Sequence, residues 1–73
     1  MVLSELNKLE EAIEQFDKAI KLNPNDFKTY SSKGITLLAL GKPEQALEQF
    51  DMALKINPND SVSLTMKKLI LSK

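Results

Sequence analysis

The chain has 73 residues, 42% of them hydrophobic and 27% charged, with ten basic and ten acidic side chains that cancel. It contains no cysteine, histidine or arginine, which excludes disulfides, thiol chemistry and the usual zinc sites and removes the side chain best suited to phosphate. One domain at most is expected, and ordering it costs on the order of 100 kcal/mol at about 1.5 kcal/mol per residue, so so small a core has little margin unless chains associate.

The first predicted element spans about Val2 to Leu22. Val2, Leu6, Leu9, Ile13, Phe16 and Ile20 follow an alternating four-three spacing, which describes one apolar seam on a continuous helix. Asn7 tolerates a left-handed turn, so a bent pair of helices is the alternative; the seam favours the straight form. Glu14 precedes Lys18 and Asp17 precedes Lys21 by four residues, pairs worth about 0.2 to 0.5 kcal/mol each on a wet helix face. Glu10, Glu11, Glu14 and Asp17 fall on that solvated side and read as surface, not as a metal or acid–base cluster. The opening Met1-Val2-Leu3-Ser4-Glu5 has no basic region, so an unprocessed, intracellular protein of the cytoplasm is expected.

Asn23-Pro24-Asn25-Asp26 ends this element, because the residue before proline is pushed out of the helical region and Asn and Asp favour turns. Asp26 is placed to cap the next helix, predicted over Phe27 to Leu40 and terminated by Gly41. Leu37 to Leu40 is the longest apolar run, far below the ~20 residues a membrane helix needs, so no membrane partner is expected. Pro43 suits the first turn of a third helix. That helix ends at a second Asn-Pro-Asn-Asp, residues 57 to 60, and Asp60 is expected to cap a last helix over Ser61 to Ser72. On this last helix Leu64 and Leu71 are expected to pack on the preceding unit. Val62, Met66, Leu69 and Ile70 form a second apolar stripe; two apolar faces suggest two neighbours, the alternative being one broad contact under a flexible C-terminus.

The elements are not independent. EAIEQFDKAIKLNPND, from Glu11 to Asp26, returns 34 residues later as QALEQFDMALKINPND, with eleven identities and three apolar-for-apolar changes among five differences. Self-similarity at such a period marks stacked helical hairpins. These residues resemble the tetratricopeptide repeat family, whose 34-residue unit is a pair of antiparallel helices with a sparse pattern of large and small side chains. Residues 27 to 60 match one full unit through Tyr30, Gly34, Leu37, Ala46, Phe50, Ala53 and Pro58. Ala12, Phe16, Ala19 and Pro24 repeat the second-helix half of the pattern. The small residues admit close backbone approach while the large ones fill the space between helices. Lys33 departs from the family, where a large aliphatic is usual, so that interface must thin or the lysine stem must lie along it. Lys68 replaces the small residue in the last helix, which therefore reads as a terminal cap.

The resemblance implies an all-α chain of antiparallel helical hairpins, an α–α superhelix. Its expected division is a truncated first repeat over 1–26, a full repeat over 27–60 and a capping helix over 61–73. The opening helix of the first repeat is largely missing, so Phe16 and its neighbours need cover that a second chain can supply, giving a two-fold or swapped dimer. The expected self-association set is Val2, Leu6, Leu9, Ile13, Phe16, Met66 and Ile70.

The family's concave surface, lined by first helices, would present Lys28, Ser31, Ser32, Ile35, Leu38 and Ala39, extended by Thr65, Met66 and Leu69. This is the expected protein or peptide surface, mildly apolar with one cation; the alternative is that these residues simply cover a neighbouring chain or helix. A clamp for a terminal carboxylate is not expected, since only Lys28 loosely matches the residues that some members use. With no nucleophile–base pair and with Gly34 and Gly41 too far apart for a phosphate loop, neither an enzyme nor a cofactor is expected. A related helical-pair family reads RNA, but the basic lining that this requires is missing. The expected function is a non-enzymatic interaction module or scaffold that associates with itself; the alternative is a minimal unit of a longer array with no ligand of its own.

Overall fold

The computed structural model describes the backbone of residues 2–72 and the side chains of residues 7–72. Its elements are α1 (Val2–Leu22), α2 (Phe27–Ala39), α3 (Pro43–Ile56) and α4 (Ser61–Leu71), with no strand among the described residues. Residues 2–22 form one unbroken helix, and among the described residues none other than glycine has a positive φ, so Asn7 does not turn the chain. The side chains of Val2 and Leu6, two members of the expected seam, lie outside the described residues.

The two Asn-Pro-Asn-Asp turns are built alike. In each, the first Asn amide donates to the alanine carbonyl four residues back at 2.8 Å, Asn23 to Ala19 and Asn57 to Ala53. The closing Asp amide then donates to the Asn carbonyl, Asp26 to Asn23 and Asp60 to Asn57. The caps differ. The Asp26 carboxylate accepts the Lys28 amide at 3.1 Å and the Thr29 hydroxyl at 3.2 Å, an ordinary N-cap. Asp60 stands at the N-cap of α4, but its side chain bonds no backbone amide; it accepts the Ser63 hydroxyl at 2.6 Å, with both residues buried.

Gly41 terminates α2 as its sequence position implies. It lies at φ 77°, and the Lys42 amide reaches the Leu37 carbonyl at 2.9 Å while the Gly41 amide reaches Leu38 at 3.0 Å. This is the Schellman arrangement that a left-handed residue makes possible. Pro43 then opens α3, where a missing amide hydrogen costs nothing.

Packing is most extensive between α2 and α3, less so between α1 and α2 and between α3 and α4, and slight between α2 and α4. The molecule measures 36 × 34 × 16 Å, the short dimension being that of two helix layers. At its centre Ala46, Phe50 and Ala53 of α3 are wholly buried beside Leu37 and Tyr30 of α2. Gly34 is what lets Phe50 in: a Cβ at that position would lie 2.7 Å from the ring. Ile13, Leu38, Met66 and Ile70 pack against Leu37, Ala46 and Phe50.

Two expectations fail here. Leu64 and Leu71 do not pack on the preceding unit; they are 50% and 61% exposed, and Met66 and Ile70 pack there instead. The reason is rotation. Ser63 is fully buried against Asp60, and at about 100° per residue this turns positions 63, 66 and 70 inward and 64 and 71 away. Neither acid–base pair expected along α1 forms: Glu14 and Lys18 make no ion pair, and Asp17 bonds Lys33 of α2 at 2.6 Å instead of Lys21. Thirty-four residues on, Asp51 of α3 bonds Lys67 of α4 at 2.7 Å. These are the ion pairs among the described residues, and each joins one unit to the next. The lysine at position 33 therefore lays its stem along the interface, as expected, but ends on a carboxylate of the neighbouring helix.

Candidate functional site

A shallow, mostly apolar groove of about 430 Å³ is bounded by Leu38 of α2, Pro43 and Glu44 of α3, and Met66, Leu69 and Ile70 of α4. Local sequence positions each wall. The Gly41 stop folds the chain back so that Pro43 and Glu44 begin α3 near the end of α2, and the inward side of α4, marked by buried Ser63, brings Met66 and Ile70 toward them. Glu44 is the one ionisable side chain in the lining.

The groove brings together residues expected to serve two different surfaces. Leu38, Met66 and Leu69 come from the expected peptide surface, while Met66 and Ile70 come from the self-association set. The rest of the peptide set lies outside the groove lining. Lys28, Ile35, Ala39 and Thr65 are exposed and Ser32 is partly buried. Ser31 is buried and donates its hydroxyl to the Lys28 carbonyl at 3.1 Å. Pro43 and Glu44 were missed because Pro43 has an evident local role in starting a helix, and nothing in a helix start announces that it also borders a groove.

A second feature lies on α1. Ala12, Phe16 and Ala19 occupy the same places in their unit as Ala46, Phe50 and Ala53, yet they are only partly buried where the later three show no exposure. No described helix lies on α1 where α2 lies on α3. Leu9 and Ile13, also on α1, are partly buried. Among the described residues no three acidic side chains converge as a metal site would require. Among them, too, no helix is long and apolar enough to cross a membrane.

Two family models match the chain, one described as TPR repeat over residues 2–41 and one as tetratricopeptide repeat over residues 27–60. No curated protein and no solved structure gives a significant match. The second match runs from the start of α2 to the cap of α4, one hairpin with its turn, and the first takes in α1 and α2. Repeats of this kind generally bind proteins and are generally not catalytic. The paired helices, the 34-residue period and these matches agree: the chain belongs to the tetratricopeptide repeat family.

Proposed function

We propose that this chain is a non-enzymatic protein-binding module that associates with itself through the half-covered face of α1. One full repeat over 27–60 acts as the core, with a partial unit on either side. The observation that carries this reading is the contrast between Phe16, partly exposed, and Phe50, wholly buried, within the same sixteen-residue phrase. Large apolar side chains left partly in water are stabilised by a partner that covers them, at roughly 25 cal/mol per Å² of apolar area removed from water. A second copy of α1 is available at equal concentration and carries the same face, so a two-fold contact is self-complementary.

Sedimentation velocity across a dilution series tests this. The expected result is a dimer that dissociates on dilution and is weakened by Phe16→Ser but not by Met66→Ser, with helicity followed by circular dichroism. A compact folded monomer at every micromolar concentration would overturn the reading and favour the alternative, a unit of a longer array without a ligand of its own.

A second reading rests on the groove. Its apolar lining beside a single carboxylate suits a bulky apolar side chain of an extended peptide with a lysine or arginine close by. Peptides recovered with the chain as bait, retested against Leu38→Ser and Glu44→Gln, check this. Recovery unaffected by either change counts against the groove.

A further inference from the structure

Two helices of this chain stand one repeat apart and carry matching positions, yet only one of them is covered. On α2, Tyr30, Gly34 and Leu37 share the face that receives α3, and Tyr30 and Leu37 are buried. The same places on α4 hold Leu64, Lys68 and Leu71, and both leucines are largely exposed. The face on α4 thus continues the α2–α3 interface by one repeat. What fits it follows from that interface: a helix with the small-large-small pattern of Ala46, Phe50 and Ala53. Besides α3, the chain has such a helix in α1, with Ala12, Phe16 and Ala19 half-covered.

We propose that the outer face of α4 is a docking face for α1 of a second copy, and that Lys68 keeps it closed. At the matching place on α2, an added Cβ would lie 2.7 Å from Cε1 and 2.8 Å from Cζ of Phe50. Lys68 has that Cβ, a four-carbon stem and a charge. Seating Phe16 over it as Phe50 sits over Gly34 forces the ring aside and takes an ammonium out of water without a partner.

The consequence concerns the form of assembly. An α4-to-α1 contact is head-to-tail, leaves the same two faces free at the ends, and so propagates as an open chain of copies. Lys68 blocks that route while leaving α1 free for the closed two-fold contact proposed above. The lock does not depend on that dimer, because it is read as a difference between variants and the native chain.

The test is sedimentation velocity of the whole chain as native protein, Lys68→Gly, Lys68→Ala and the double variant Leu64→Lys/Lys68→Gly, with helicity monitored throughout. Lys68→Gly is expected to form a series of species beyond the dimer, half-assembled at a concentration at least about tenfold below the native chain. Lys68→Ala, which keeps the Cβ, shifts the same way by less, and Leu64→Lys reverses the gain. The proposal is overturned if neither single variant shifts assembly, or if the assembly of Lys68→Gly survives Leu64→Lys. A native chain that already forms an open series dissolved by Leu64→Lys overturns the lock as well. Should Lys68→Gly lose helicity, Lys68→Ala alone decides, and no shift counts against the proposal. A strictly monomeric native chain removes only the α1 dimer.

Discussion

The same phrase is folded twice in this molecule, and its two copies have different fates. In α3 its Ala, Phe and Ala are sealed between α2 and α4; in α1 they are half-open, with α2 on one side and no described helix on the other. Local sequence is nearly constant between them, so helix propensity and turn chemistry are constant too. Burial, and with it stability, comes from the neighbours, which is the behaviour of a one-dimensional stack.

Truncating the aromatic in each copy breaks the comparison most sharply. Phe50→Ala is expected to cost about 3 to 5 kcal/mol and to leave so small a chain largely unfolded at 25 °C. Phe16→Ala, half-buried to begin with, costs about 2 kcal/mol or less. Urea denaturation followed by helicity measures both, and equal losses would mean that α1 is covered as well as α3 in solution.

The next pair contrasts Gly34 with Lys68. Gly34→Ala drives a Cβ into the Phe50 ring and costs about 1 to 3 kcal/mol, reduced by the better helix propensity of alanine. Lys68→Ala, at the same place one repeat later with no ring above it, changes the stability of the isolated chain by under about 0.5 kcal/mol.

The caps give a smaller contrast. Ser63→Ala removes the 2.6 Å bond to the buried Asp60 carboxylate and is expected to cost about 1.5 to 3 kcal/mol if that carboxylate finds no water, less if it does. Thr29→Ala loses a longer, more open bond to Asp26 and costs about 0.5 kcal/mol. Ser63→Ala also loosens the buried first turn of α4, so it is expected to lower amide protection there in hydrogen exchange more than Thr29→Ala does in α2.

The two ion pairs are the weakest lever. Lys33→Met and Lys67→Met are each expected to change stability by less than about 1 kcal/mol, because the Asp17 and Asp51 carboxylates are half-exposed. Lys33→Met has the larger effect, as its stem is the more enclosed. Raising the salt concentration should narrow the difference between them.

How much of this was legible depended on range. The last three helices, the Gly41 stop, Pro43 at a helix start and the central trio of Ala46, Phe50 and Ala53 could all be read, since each is a local rule or a repeat of one. Whether residues 2–22 run straight or bend at Asn7 is left open by the spacing and decided by the fold. The face of α4 could not. Leu64, Leu71, Met66 and Ile70 are all apolar on one short helix, and periodicity alone does not say which pair turns inward. The structure turns Met66 and Ile70 inward, on the side where Ser63 is buried with its bond to Asp60. Asp17 was equally ambiguous, with Lys21 near in sequence and Lys33 near in space. The groove followed the same pattern: Leu38, Met66 and Leu69 were expected at a binding surface, whereas Pro43 and Glu44 joined it only through the packing of α3 beside α4.

By itself the sequence determined that hairpins form and at what period they repeat, because turns, caps and apolar spacing act over a few residues. The tertiary structure decided which copy of a shared phrase is sealed, which way α4 is rotated and which lysine meets which aspartate. Those outcomes are set by contacts between helices, where a ring, a missing Cβ or a buried hydroxyl has meaning only once its neighbour is in place.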